Sequence, residues 1–247
     1  MTAPVLHVVS AGAARALVTA LAPAFETAHG VRVAGTFGAV GAMRERLAGG
    51  VPCDVLVLSA PLIDALAREH RVRPDSVAPL GAVHTAIAVA AVAPRPDVHD
   101  AAALARALAR ASAIFFPDPA RATAGIHFLR VLERLDLHAA LAARLRPFPN
   151  GAEAMAALAA TGASDAIGCT QATEIRYTSG VTLVAPLPGD LGLATVYTAA
   201  VWADSAQPGL ARDFVDGLTG PASAALRDAG GFEPTQRGHA RLAPGSG

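Results

Sequence analysis

Short apolar runs rich in Val, Ile, Leu and Thr alternate along this chain with longer amphipathic stretches, and no other feature narrows its fold so far. Such alternation is the β-α-β pattern of a largely parallel sheet flanked by helices, hence an α/β protein. Strands are predicted at residues 6–9, 31–37, 54–58, 85–92, 113–116, 166–169, 182–185 and 195–202. Helices are predicted at 13–28, 40–48, 61–70, 101–111, 124–135, 138–145, 152–160, 170–177, 208–218 and 221–229. Pro23 falls inside the first helix and predicts a kink or an early break there. The strands at 85–92 and 195–202 are long and bordered by Pro94 and Gly192, as chain crossings between two lobes would be. The expected organisation is a two-lobed α/β fold with mixed sheets and two crossover strands, residues 1–84 with 200–247 forming one lobe and 85–199 the other. Residues 235–247, with Gly238 and the Pro244 to Gly247 end, read as a disordered tail.

Composition removes several function classes. The formal net charge is zero and no arginine stripe is interleaved with aromatics, so nucleic acid is not an expected partner. Every one of the 20 basic residues is arginine, which excludes a lysine Schiff base and, with no glycine-rich loop ending in Lys-Ser or Lys-Thr, a P-loop nucleotide site. No run approaches the roughly 20 apolar residues that cross a bilayer, so membrane insertion is not expected. Cys53 and Cys169 lie far apart in unlike contexts, and the eight histidines are scattered without ligand spacing. Neither a metal site nor a cofactor is expected. The start of the chain lacks the charged, apolar and small-residue regions of a secretory signal. The chain as written therefore reads as cytoplasmic, or as periplasmic if a leader has been removed. A monomer is expected.

Four strand-to-helix turns share one physical character. They are Ser10-Ala11-Gly12-Ala13, Gly38-Ala39-Val40-Gly41, the stretch from Asp118 to Gly125, and Gly168-Cys169-Thr170-Gln171. Each places backbone N–H groups at the positive end of a helix, where small residues allow an anion to approach. Each also reads, taken alone, as ordinary helix capping. In an open α/β sheet such turns meet beyond the carboxyl ends of the strands, which is where ligands bind. A small anionic ligand is the expected partner.

The order of these segments resembles the type II periplasmic binding proteins, and among them the molybdate-binding receptors of ABC transporters, from Leu6 to Phe232. The resemblance is carried by the Ser10 opening, by VRVAGTFGAVGAMRERLAGGVPCDVLVLS at 31–59, DPARATAG at 118–125, IGCTQATE at 167–174 and the closing GGF at 230–232. It implies two lobes that close around an oxyanion and deliver it to a membrane permease. Where that family looks to a serine, a second serine and a tyrosine, this chain has Gly12, Val40 and Gln171. A desolvated tetrahedral dianion needs many donors, so the loss of three hydroxyls argues against molybdate and for a carboxylate-bearing anion. The implied binding set is Ser10, Ala11, Gly12, Ala39, Val40, Arg121, Thr123, Ala124, Gly125, Thr170, Gln171 and Tyr197. Arg121 would fork onto a carboxylate. Ser10 would add a hydroxyl, and Tyr197 would face the cleft through its own.

The same scaffold is similar to bacterial aconitate isomerases, which move a double bond within a tricarboxylic acid. That chemistry needs one base to take an allylic proton and return it. Glu174, His127, Cys169 and His84 are the titratable groups near the expected cleft. Glu174 is the first candidate, because it follows a buried strand, where desolvation raises a carboxyl pKa toward a useful value. An acidic residue early in a helix also complements the helix dipole, which is its plain structural reading.

Overall fold

A computed structural model describes residues 3–235. The expected tail at 235–247 lies, except for Thr235, outside the described residues. The strands are β1 (Val5–Ala11), β2 (Arg32–Gly38), β3 (Val55–Ser59), β4 (Ala78–Ala90), β5 (Ile114–Pro117), β6 (Leu145–Phe148), β7 (Ile167–Gln171), β8 (Val181–Pro186) and β9 (Ala194–Val201). The helices are α1 (Arg15–His29), α2 (Val40–Ala48), α3 (Ala60–Arg68), α4 (Ala101–Arg110), α5 (Thr123–Arg134), α6 (His138–Leu141), α7 (Gly151–Thr161), α8 (Ala172–Tyr177), α9 (Pro208–Thr219) and α10 (Ala224–Gly230). None of the described helices is long and apolar enough to cross a membrane.

The strands run in the order β2-β1-β3-β9-β4-β7-β5-β6, with β8 also paired to β4. Pairing is parallel among β1, β2 and β3 and among β5, β6 and β7, and antiparallel wherever β4 or β9 takes part. This is the mixed sheet flanked by helices that the sequence pattern predicts. β4 joins the two halves: residues 78–84 pair with β9, and residues 85–90 pair with β7 and β8. β9 pairs with β3 over residues 197–201 and with the first half of β4 over residues 194–199.

Burial explains the local choices. β3, Val-Leu-Val-Leu-Ser, is buried at every position, as a strand covered on both faces must be. α4 is opened by Asp100, whose carboxylate accepts from the Ala103 N–H at 2.7 Å, and it buries Leu104 and Leu108 one turn apart. Two apolar clusters result, one around β1, β3, β9 and α9, the other around Phe116, Phe128, Leu104, Leu108 and Ile167.

Two local expectations need correction. α1 continues past Pro23 to His29, so the early break does not occur. Pro23 and Thr19, whose carbonyl loses its partner, are both exposed, so water can serve the freed group. The helix expected over 138–145 ends at Leu141 and a short 3-10 turn, and Leu145–Phe148 instead forms β6 against β5.

Candidate functional site

Parallel pairing aligns the carboxyl ends of β1 and β2 in one half and of β5, β6 and β7 in the other, and each of these strands hands the chain to a helical turn. Those turns begin at Gly12, Val40, Thr123, Gly151 and Ala172. They surround a small cavity lined by Ala11, Gly12, Ala39 and Val40 from one half and by Thr123, Ala124, Gly151, Gln171 and Glu174 from the other, with Tyr197 of β9 between them. The residues preceding four of the five turns, Ala11, Ala39, Ala122 and Gln171, make no side-chain cap. First-turn N–H groups without a capping side chain form an anion site when a cavity adjoins them. Among the described residues, no arginine or histidine side chain lines this cavity.

The carboxyl of Glu174 is the one acidic group on its wall. Glu174 is 5% exposed. Its Oε2 accepts from the Thr170 hydroxyl at 2.6 Å. Burial pushes its pKa up from 4.5 to about 7, against the opposing pull of that hydroxyl and of the Gln171, Gly151 and Ala152 N–H groups. Gly12 and Gly151 stand on either side of it. A Cβ on Gly12 would lie 2.5 Å from Glu174 Oε1, and a Cβ on Gly151 would collide with Glu174 Oε2 and the Thr170 hydroxyl. Glycine at both positions is what lets two helix starts close on one carboxyl.

The two halves touch around this carboxyl. Gly41 N–H donates to the Arg121 carbonyl at 2.9 Å, and the Tyr177 hydroxyl donates to the Gly12 carbonyl at 3.4 Å. Gln171 Nε2 donates to the Thr195 hydroxyl at 3.4 Å. Tyr197 is buried, and desolvation together with the nearby Glu174 pushes its phenol up, opposed by a hydrogen bond from Gln171. Three buried side-chain atoms among the described residues lack a partner, Thr85 Oγ1, Gln171 Oε1 and Thr173 Oγ1. Of these residues only Gln171 lines the cavity.

Several residues named from the sequence lie elsewhere. Ser10 is buried in β1 and donates its hydroxyl to the Ala11 carbonyl at 2.9 Å, so it offers nothing to the cavity. Arg121 points outward, its side chain 54% exposed and paired with Glu45 at 3.3 Å. Gly125 abuts the Pro117 and Asp118 carbonyls, and the Thr170 hydroxyl is taken by Glu174. The other base candidates are away from the site: His127 donates to the Leu191 carbonyl at 2.8 Å, His84 pairs with Glu233 at 3.1 Å, and Cys169 is fully buried with its thiol pKa pushed up by desolvation. Both cysteines are free. A larger groove runs among Arg95, Arg106 and Arg110, at the opposite end of β7 from the helix starts.

Asn150 and Gly151 are the site residues that sequence reasoning missed. Asn150 accepts from the Glu153 N–H at 3.0 Å and so starts α7, which puts Gly151 against Glu174. Their signal, Asn at a cap position followed by glycine, marks a helix start, as small residues mark the four turns already named.

Comparison with known proteins adds four findings. Residues 6–233 match the family described as bacterial extracellular solute-binding protein. The chain is 29% identical over 235 residues to an aconitate isomerase of Pseudomonas sp, covering 93% of this chain and 87% of that protein. Its fold is similar to that of the Azotobacter vinelandii periplasmic molybdate-binding protein, with a TM-score of 0.75 at 21% identity over 94% of this chain and all of the other. It is also similar to the sulfate-binding protein of Mycobacterium tuberculosis, with a TM-score of 0.72 at 20% identity over 95% of this chain and 88% of that one.

Proposed function

This chain belongs to the bacterial extracellular solute-binding protein family, and on that premise we propose that it captures a small carboxylate-bearing anion by closing two lobes around the cavity. The lobes are residues 3–84 with 194–235 and residues 85–193, divided where β4 changes partners. The observation that carries this reading is the meeting of uncapped helix starts at a cavity whose one acidic group is Glu174. The helix starts attract negative charge. Glu174 limits how much of it the site accepts. Two unit charges about 4 Å apart repel by about 4 kcal/mol at an effective dielectric near 20, and a dianion such as molybdate doubles that. A monoanionic carboxylate beside a protonated Glu174 avoids the conflict. As a receptor the protein would work outside the cytoplasmic membrane and hand its ligand to a permease.

A second reading is favoured by Glu174 itself together with the similarity to an aconitate isomerase. A carboxyl that gains and loses its proton near neutral pH on the wall of a ligand cavity is suited to general acid-base work. The ionised carboxylate would take an allylic proton as the C–H bond breaks, the double bond would move one position, and the same proton would return to the far carbon. No oxidant or cofactor enters this balance.

One experiment tests both readings. Thermal shifts are recorded with molybdate, sulfate, phosphate and a panel of mono-, di- and tricarboxylic acids, and each hit is incubated and examined by NMR. A ligand at about 100 times its Kd stabilises the folded chain by about 2.7 kcal/mol. A carboxylic acid that raises Tm and is recovered unchanged establishes the receptor. Conversion to a double-bond isomer establishes the enzyme, and a shift with inorganic oxyanions alone sinks both.

A further inference from the structure

Gln171 is 3% exposed at the end of β7, and its amide is only half satisfied. Nε2 donates to the Thr195 hydroxyl at 3.4 Å. Oε1 has no partner. A buried carbonyl oxygen without a donor is costly, and native structures rarely leave one. This residue lines the ligand cavity, so the missing donor is one that a ligand can bring. The neighbouring carboxyl of Glu174 is likewise rich in acceptor oxygens. A fully ionised oxyanion or polycarboxylate would face both with acceptors alone.

We propose that the captured acid presents an O–H group to Gln171 Oε1 while an ionised carboxylate of the same molecule meets the helix starts at Val40 and Thr123. This rests on the carboxylate-binding reading and narrows it to acids that carry a donor. The O–H comes either from the hydroxyl of a hydroxy acid or from a second carboxyl that keeps its proton. Fully ionised inorganic oxyanions lack it in either form.

Calorimetric titration with two matched pairs, citrate against tricarballylate and malate against succinate, separates the sources at about pH 8 and about pH 5.5, which bracket the last carboxyl protonations. If the donor is a hydroxyl, the hydroxy acid of a pair binds about 10- to 100-fold more tightly at both pH values, the worth of one buried acceptor satisfied or left bare. If it is a protonated carboxyl, the members of a pair bind alike and both tighten on acidification; because Glu174 also loses its charge over this range, the pH arm is read in Glu174→Gln, with and without Gln171→Met. Gln171→Met reduces whichever preference is found to within about 2-fold. Its melting temperature without ligand reports whether it folds, and the comparison of acids on the unaltered protein stands without it. Acids that bind with no preference for hydroxyl or for low pH, or a preference that survives in Gln171→Met, would overturn the inference and mean that the amide turns its NH₂ to the ligand. If no carboxylic acid binds, the carboxylate reading falls with it.

Discussion

Replacing Glu174 with glutamine isolates the electrostatic tension at the centre of the site. In the folded chain this carboxyl holds its proton up to about pH 7, against an ordinary value of 4.5. Between those two pH values the folded state binds a proton that the unfolded state has released, so stability falls as pH rises through the window. The contribution is intact below 4.5 and wholly lost above about 7. Ionising Glu174 in the folded state therefore costs about 3 kcal/mol relative to the unfolded chain at neutral to alkaline pH. Full burial leaves solvent little room to screen it. Glutamine keeps an acceptor oxygen for the Thr170 hydroxyl and cannot ionise. The gap between wild type and Glu174→Gln should thus shift in favour of the variant by about 3 kcal/mol between pH 4.5 and pH 8. For a chain of this size that corresponds to roughly 6 to 12 °C in melting temperature. Calorimetric unfolding without ligand across that range measures it, and the difference between the two proteins cancels every other titrating group. Melting curves that run parallel at all pH values would refute the claim that Glu174 titrates near neutrality.

Three further perturbations bear on the closed cavity. Gly151→Ala drives a Cβ into the Glu174 carboxyl and the Thr170 hydroxyl; affinity for any ligand found in the screen should fall at least about 10-fold, the cost of one displaced buried hydrogen bond, as calorimetry would show. Gly41→Pro removes the N–H that bonds the Arg121 carbonyl at a first-turn position where proline leaves the helix itself intact. Small-angle scattering should show a larger radius of gyration than wild type, and an unchanged value would mean that this contact does not hold the lobes together. Arg121→Ala should alter ligand affinity by less than about 5-fold, because an exposed pair with Glu45 is worth at most about 1 kcal/mol; a larger loss measured by titration would return Arg121 to the site.

The parts of this molecule written in periodicity were legible. β3 and α2 can be read from their residues because burial on both faces of a strand and one apolar stripe on a helix leave local marks. β6 cannot, since Leu145-Arg146-Pro147-Phe148 contains a proline and a charge and becomes a strand only by pairing with β5. Missing β6 also hid the turn that follows it. Asn150 and Gly151 are legible as a helix start, but without a preceding strand nothing marked them as part of the ring around Glu174. Ser10 and Arg121 fail for a different reason. Their place along the chain follows from the sequence, yet each side chain is taken up by another partner, the adjacent Ala11 carbonyl in one case and Glu45 across the fold in the other. Glu174 was legible because it follows a strand that buries every residue.

On the proposed reading the donors that meet the ligand are peptide groups at the starts of helices, and mutation has little purchase on them. Short of proline, no substitution at Val40, Thr123 or Ala124 deletes a main-chain N–H. An inclination toward negative charge is thus inherited with the backbone, while shape and the number of exchangeable protons remain open to single changes at the few side chains that reach inside. Glu174 and Gln171 are such side chains. A lineage holding this scaffold could exchange one guest for another, or turn from holding a guest to altering it, without rebuilding anything that keeps the molecule folded.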